Sequence, residues 1–238
     1  MESNNLNLSV GDDRDSYNDY FLLHRDKGTN PRASYRVRKG LDLLGDKRGK
    51  SLSVGVVDLT EARLLKNAGF ENTICDISSL GVKYAVENGF DAFECDIVND
   101  TPRGEYDFIF CFEILEHVSN PLKALNNLKS VLNPGGILIV SLPNEFHFFR
   151  RLGILFGIKS LMFGGHDWHH LRFFNIYYAK RLFENAKLDI VNINYSPAVP
   201  LSNKWILKLG EMLNFVSPNL FAMSIITSLK LRDAATKK

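Results

Sequence analysis

The sequence has few cysteines and no long uninterrupted apolar run, and each shortage excludes a class of protein. Cys75, Cys95 and Cys111 have neither the paired spacing of a zinc site nor that of a redox dithiol. We therefore expect three buried thiols in a reducing compartment. The most apolar stretch, residues 146–165, is interrupted by lysine and arginine side chains, so it lacks the roughly 20 apolar residues that a membrane span needs.

An excess of charge of one sign is also missing, since 29 basic and 27 acidic residues leave a formal net charge of +2. Such a balance generates no field that would attract a nucleic acid or an anionic membrane. The amino-terminal residues are polar and acidic and lack the basic and apolar regions of a signal peptide. We predict a cytoplasmic protein with no transmembrane segment and no nucleic-acid partner.

Internal repeats are absent too, and the chain instead alternates short apolar runs with amphipathic stretches. Strands are predicted at residues 51–57, 72–76, 92–96, 106–112 and 137–142, with strand-like runs at 189–195 and 220–229. Helices are predicted at residues 33–44, 60–68, 79–88, 121–132, 176–186 and 204–215, and a turn at 133–136. Strands that alternate with helices in this way form a parallel sheet with right-handed crossovers, covered on both faces. The predicted fold class is therefore α/β.

The length of 238 residues suits one domain with one core. We predict a flexible amino-terminal arm over residues 1–32 and a single domain over residues 33–238. After the fifth strand, residues 145–174 form a long, aromatic and basic insertion. Because long connections at the active edge of such sheets usually carry function, the insertion is predicted to cap the substrate side. A structural cover for an edge of the sheet is an equal alternative.

Acidic side chains follow three of the predicted strands. In an open parallel sheet, ligands bind outside the carboxyl ends of the strands, and the first strand-to-helix turn, here at Gly55, approaches the ligand. Asp76 lies 21 positions later (76 − 55), where a carboxylate accepts hydrogen bonds from the hydroxyls of an adenosine ribose. Capping of the turn at residues 78–79 is the alternative for Asp76. Asp96 either accepts a hydrogen bond from the amine of an adenine or is a solvent-exposed acid in a loop. Glu113 either lines the cleft or begins a helix.

Residues 106–144, YDFIFCFEILEHVSNPLKALNNLKSVLNPGGILIVSLPN, resemble the small-molecule class I S-adenosylmethionine-dependent methyltransferases of the type 11 and MetW-like branches. The shared features are a Glu-x-x-x-His-Val step, a Leu-x-Pro-Gly-Gly turn and a Pro-Asn pair after the fifth strand. Residues 170–174 and 217–222 also resemble this family, and the resemblance runs from about Arg36 to Leu231. It implies a Rossmann-like, mostly parallel seven-stranded sheet with an antiparallel last strand, and S-adenosylmethionine as the cofactor.

The resemblance also implies roles for individual residues at the cofactor site. Gly55 would approach the methionine part, and Asp76 would bind the ribose. The remaining residues implied to bind the cofactor are Ile77 after the second strand, Asp96 and Ile97 at the adenine, and Phe112 and Glu113 at the floor of the cleft.

One departure from the family concerns its first loop, which reads acid-x-Gly-x-Gly-x-Gly. The matching positions here are Ser53, Gly55, Val57 and Leu59, so one glycine survives. A non-glycine residue forced into the left-handed region costs about 1–2 kcal/mol, and crowding of the ligand costs about 1–3 kcal/mol more. Together these terms would weaken cofactor affinity by about 10- to 1,000-fold.

Histidines cluster near the end of the insertion, at His166, His169 and His170. Adjacent histidines point apart on a strand and no second ligand pair is evident, so no metal site is predicted. His166 and His170 are the candidates to meet the methyl acceptor, because a base with a pKa near neutral assists transfer to oxygen or nitrogen. His117 is predicted to pack under the site.

The predicted function is methyl transfer from S-adenosylmethionine to a small-molecule or lipid- or sugar-linked acceptor. The alternative is a non-catalytic protein of the same fold that has lost its cofactor loop and acts as a binding or regulatory partner. A protein partner or a homo-oligomer is compatible with either. A nicotinamide-dependent dehydrogenase is disfavoured, because no Gly-x-Gly-x-x-Gly follows the first strand.

Overall fold

The computed structural model describes residues 14–24, 30–56, 58–158, 161 and 170–232. The strands are β1 (Lys50–Val54), β2 (Glu71–Asp76), β3 (Asp91–Glu94), β4 (Tyr106–Phe112), β5 (Leu132–Pro143), β6 (Leu188–Pro197) and β7 (Ala222–Leu231). The helices are α1 (Arg14–His24), α2 (Pro31–Asp42), α3 (Thr60–Asn67), α4 (Ser79–Glu87), α5 (Pro121–Ser130), α6 (Phe148–Phe156), α7 (Ile176–Asn185), α8 (Lys204–Val216) and α9 (Pro218–Phe221).

The seven strands form one sheet in the order β3-β2-β1-β4-β5-β7-β6. Strands β1 to β5 run parallel, and β7 is antiparallel to both of its neighbours. The predicted α/β class, the Rossmann-like topology and the antiparallel last strand are confirmed. The chain order reverses between β1 and β4, and ligands of open α/β sheets bind at this switch point.

The core lies on both faces of the sheet, because side chains of a strand alternate between the faces. In β4, Ile109 and Cys111 pack with residues of α5 and α7, whereas Phe108, Phe110 and Phe112 pack with residues of α2. Burial on both faces explains why β4 is apolar throughout rather than alternating.

The three cysteines are free and buried, as predicted. Within the described ranges, every helix falls short of the length and apolarity that crossing a bilayer requires.

Residues 14–24 are helical, so the prediction of a flexible arm is wrong for this segment. Phe21 is only 2% exposed and packs in a cluster with Val56 and Leu59. Asn18 Oδ1 accepts a hydrogen bond of 2.7 Å from Ser78 Oγ. These tertiary contacts stabilise a helix that is too short to persist alone. The rest of residues 1–29 lies outside the described part of the chain.

The predicted turn at residues 133–136 is instead part of β5. Tyr106 pairs with Leu132 and Phe108 with Ile137, so β5 carries extra residues that bulge against β4. Gly135 takes a φ of +79° within this bulge. The glycines on which the turn prediction rested therefore permit a bulge within the strand, where glycine is common.

Candidate active site

The candidate site lies at the edge of the sheet where β1, β2, β3 and β4 end. Val54 is in register with Cys75 on one side and with Cys111 on the other, and Asp76 is in register with Glu94. The turns that follow these strands therefore meet at one edge, as predicted from the alternation of strands and helices.

The turn after β1 keeps part of the conformation that glycines provide. Gly55 has a φ of +94°, and a Cβ atom added there would lie 2.6 Å from Ile114 Cδ1. Leu59 also lies in the left-handed region, with φ 56° and ψ 8°, and this costs about 1–2 kcal/mol for a non-glycine residue. Val57 lies outside the described residues. The backbone at position 59 thus takes the conformation that glycine favours although the residue is leucine.

Asp76 joins the ends of β1 and β2. Its Oδ2 accepts a hydrogen bond from the backbone N–H of Val56, and its Oδ1 accepts one of 2.6 Å from the N–H of Ser78. Ser78, not Asp76, caps α4. Removal from water raises the pKa of Asp76 to about 6, and these backbone hydrogen bonds oppose that rise. The N–H of Ile77 also hydrogen-bonds to this carboxylate. A carboxylate has about four acceptor sites, so Asp76 retains capacity for one ligand hydroxyl.

Asp96 is engaged within its own turn after β3. Its Oδ1 accepts a hydrogen bond of 2.9 Å from the N–H of Val98, and its Oδ2 accepts one of 2.7 Å from Asn99 Nδ2. Ile97 is buried in the main core cluster, and Ile77 lies half-buried directly after β2.

Glu113 follows β4 in the left-handed conformation, with a φ of 54°. Its Oε1 accepts a hydrogen bond of 2.9 Å from Ser141 Oγ. The alternative that Glu113 begins a helix is wrong, since the next helix, α5, starts at Pro121. Phe112 is buried on the α2 face of the sheet, where a Cβ atom added at Gly40 would lie 2.8 Å from the Phe112 ring.

The side chain of Arg36 on α2 also lies near Glu113, and it was not predicted from the sequence. Its Nε lies 3.9 Å from Glu113 Oε1 and has no hydrogen-bond partner among the described residues. Glu61 Oε1 is likewise buried without a partner in the described part of the chain. Burial raises the pKa of Glu61 to about 8, and the positive charge of Arg36 opposes that rise. No sequence signal separates Arg36 from the other basic residues of α2.

A second group of polar side chains lies beside this edge of the sheet, at the loop after β4 and the end of the insertion. Glu116 Oε1 lies 3.9 Å from His117 Nε2, and the rings of His117 and His170 are in edge contact at 4.8 Å. The carbonyl oxygen of Glu116 accepts hydrogen bonds of 2.8 and 3.0 Å from the N–H groups of Leu171 and Arg172. These backbone bonds place His170 next to the loop after β4.

Two carboxylates lie beside the histidines, that of Glu116 near His117 and that of Glu145 near His170. Glu145 Oε1 lies 2.6 Å from His170 Nδ1, and Glu145 Oε2 lies 2.8 Å from Arg150 Nη2. Burial raises the pKa of Glu116 well above its ordinary value, and the negative charge of Glu113 adds to this rise. The structure brings His117 and His170 together, whereas His166 and His169 lie outside the described residues.

Helix α1 contacts both the turn after β2, next to Asp76, and the loop that carries Glu116 and His117. Tyr17 Oη donates a hydrogen bond of 3.1 Å to the carbonyl oxygen of His117, and Asn18 bonds Ser78 at the end of β2. The helix therefore spans from the Asp76 side of the edge to the histidine side.

Residues 30–193 match the family described as "Methyltransferase domain". The chain belongs to this family of methyltransferase domains, and its sheet has the Rossmann-like fold of the class I S-adenosylmethionine-dependent methyltransferases.

Among curated proteins, the chain is 35% identical over 104 residues to the ubiquinone biosynthesis O-methyltransferase of Shewanella pealeana, and this match covers 41% of the chain and 43% of that protein. The chain spans about half the length of the curated relatives of this name that it matches.

Among solved structures, the chain resembles a putative methyltransferase in complex with the Haloferax volcanii Trm112 activator, with a TM-score of 0.64 at 15% identity over 91% of this chain and 98% of that one. It also resembles the 1,6-didemethyltoxoflavin-N1-methyltransferase of Burkholderia thailandensis with bound S-adenosylhomocysteine, with a TM-score of 0.62 at 16% identity over 92% of this chain and 87% of that one. At these identities the likeness shows the fold alone.

Proposed function

We propose that this chain transfers the methyl group of S-adenosylmethionine to a small-molecule or lipid-linked acceptor that binds beside His117 and His170. The observation that carries this proposal is the placement of Asp76 and the Gly55 turn at the same edge of the sheet as the histidine pair. Cofactor and acceptor groups then lie on two sides of one cleft, beneath α1.

The residues present fit the cofactor. Asp76 has free acceptor capacity for a ribose hydroxyl. Gly55, with a φ of +94°, lets the backbone of the turn approach the amino-acid part. The unpartnered Nε of Arg36 fits the carboxylate of that part. Asp96, with Ile97, remains the candidate for the adenine, although its carboxylate must share the hydrogen bonds of its own turn.

When bound, S-adenosylmethionine supplies an electrophilic methyl group on a sulfonium. The protein contributes chiefly by positioning and by exclusion of water, since in-line transfer needs little covalent assistance. Tyr17 and the half-buried Tyr20 of α1 lie next to His117 and close the cleft from above. Glu145 holds the ring of His170 in one orientation toward the acceptor side.

The acceptor class is supported by two further observations. The relatives named ubiquinone biosynthesis O-methyltransferase support an oxygen acceptor on a lipid-linked ring. Helix α6, within the insertion, exposes Ile154, Leu155 and Phe156, and exposed apolar residues of this kind mark surfaces that contact apolar ligands or partners.

The test supplies the protein with S-adenosylmethionine that carries a radiolabelled methyl group and with a cell extract. The extract is then separated into a lipid and an aqueous fraction, and the label in each fraction is measured. We expect labelling of one fraction by the wild-type protein and none by Asp76→Ala. Equal labelling by the two proteins, or no labelling of either fraction, would contradict the proposal. Labelled lipid would assign the acceptor to the lipid-linked class, and a labelled aqueous compound would assign it to the free small molecules.

A further inference from the structure

Three side chains with metal-binding atoms meet on the acceptor side of the cleft. One ligand atom each from Glu116, His117 and His170 lies within 4.8 Å of the other two. We propose that these residues bind a divalent transition metal ion, and that the ion contacts an oxygen of the acceptor. The metal-binding part stands alone, and the contact with the acceptor rests on the proposed function.

The environment of Glu116 supports a cation. Its side chain is 0% exposed, and neither carboxylate oxygen has a hydrogen-bond partner among the described residues. Buried polar groups in native proteins are almost always hydrogen-bonded, because an unsatisfied one is costly. A metal ion between Glu116 and the two histidines would satisfy these oxygens and compensate the carboxylate charge.

The environment of His170 also matches that of a metal ligand. Ligating histidines usually give their second ring nitrogen to a carboxylate, which fixes the tautomer and the ring orientation. Glu145 occupies Nδ1 of His170 at 2.6 Å, so Nε2 is the nitrogen left for a metal. Arg150 in turn holds Glu145 through its other oxygen at 2.8 Å.

The backbone fixes the three residues relative to one another. Glu116 and His117 are consecutive in the loop after β4, and the Glu116 carbonyl holds Leu171 and Arg172 next to it. Ligands of a tetrahedral zinc site lie about 3.4 Å apart, given Zn–N and Zn–O distances of about 2.0–2.2 Å. The 3.9 Å between His117 Nε2 and Glu116 Oε1 therefore needs only a small contraction.

The ligand set indicates the type of metal and its use. Two imidazoles and one carboxylate suit zinc, manganese or iron, whereas magnesium and calcium prefer oxygen ligands alone. Three protein ligands leave a coordination position open, as in catalytic rather than structural zinc sites. The ion would lower the pKa of an acceptor hydroxyl bound at that position. A metal ion at this site would therefore favour acceptors that carry a hydroxyl group.

The sequence-based prediction of no metal site considered only residues 166–170. His117 and His170 are 53 positions apart (170 − 117), and no ligand spacing within one segment reveals such a pair.

The test is calorimetric titration of untagged, metal-stripped protein with Zn²⁺ in the absence of S-adenosylmethionine. We expect one equivalent to bind to the wild-type protein. Glu116→Gln and His170→Gln should weaken binding by more than 100-fold. Glu145→Gln, which removes the orienting carboxylate, should weaken it by about 10- to 100-fold.

His147→Gln and Glu211→Gln are the matched controls, because these side chains lie outside the cluster. Both controls should bind Zn²⁺ as the wild type does. A rise in Tm with Zn²⁺ in the wild type and its absence in Glu116→Gln would show that the variant folds and has lost the ion. Absence of binding to the wild type, or equal binding by Glu116→Gln and the controls, would overturn the inference. Since no cofactor or acceptor is present, the result is independent of whether the proposed function holds.

Discussion

Asp76 links the turn after β1 to the end of β2, because its carboxylate accepts hydrogen bonds from Val56 and Ser78. The same carboxylate is the main candidate for the ribose. Its raised pKa of about 6 places its change of charge near neutral pH, so we expect the affinity for the cofactor to depend on pH.

The sign of that dependence follows from the role of the charged form. At pH 7 Asp76 is mostly ionised and accepts hydrogen bonds, and at pH 5 it is mostly protonated and does so poorly. We expect the affinity for S-adenosylhomocysteine to fall about tenfold from pH 7 to pH 5. Asp76→Asn should bind weakly with no such dependence. An unchanged slope in Asp76→Asn would assign the titration to another group.

Arg36 permits a test of the amino-acid part of the cofactor site. We expect Arg36→Gln to weaken binding of S-adenosylhomocysteine by about tenfold or more, since a charge-assisted hydrogen bond contributes about 1.5–3 kcal/mol. Binding of 5′-methylthioadenosine, which has no carboxylate, should not change. Arg38→Gln, on the exposed side of the same helix, should affect neither ligand, and equal losses for both ligands in Arg36→Gln would refute the assignment.

Leu59 combines a strained backbone with a buried side chain, at 3% exposure. Leu59→Ala keeps the strain and removes the packing, at a cost of about 2–5 kcal/mol. Leu59→Gly removes both, so we expect it to be more stable than Leu59→Ala by about 1 kcal/mol. Chemical denaturation measures the difference. An alanine variant more stable than the glycine variant would show that position 59 is not strained.

Helix α1 packs on the loop after β1. Leu59, at one of the family's glycine positions, and Val56, which is not at such a position, form a cluster with Phe21 of α1. The leucine at position 59 thus supplies an apolar contact for α1 that a glycine would lack.

Phe21 is therefore expected to anchor α1. Phe21→Ala should expose the amides of α1 to rapid hydrogen exchange, because the buried ring contributes about 3–5 kcal/mol of packing. Leu22→Ala is the matched control on the same helix, since Leu22 is 47% exposed. Similar exchange in the two variants would mean that the hydrogen bonds of Tyr17 and Asn18, rather than Phe21, hold the helix.

The strands and their order were largely predictable, because buried parallel strands leave short apolar runs such as residues 106–112. The bulge at residues 133–136 was not, since a Pro-Gly-Gly sequence is equally typical of a turn. Helix α1 was not predictable either. Its stability depends on tertiary contacts of Phe21 rather than on its own amphipathic pattern.

Site residues that follow strands could be predicted from the sequence, whereas residues that meet only through tertiary packing could not. Asp76 and Glu113 could be predicted because the ends of parallel strands share an edge. Arg36 on α2 and the pairing of Glu116 with His170 depend on how distant segments pack. The roles of Gly55 and Asp76 in binding stay predictions until a ligand is measured.

Isothermal calorimetry of the purified protein with S-adenosylmethionine and S-adenosylhomocysteine tests directly whether the chain binds the cofactor. We expect micromolar binding by the wild type, its loss in Asp76→Ala, and its retention in Asp189→Ala, whose carboxylate pairs with Arg232 far from the site. No heat at millimolar ligand, from protein shown to be folded, would contradict a functional cofactor site. It would favour a non-catalytic protein of the same fold.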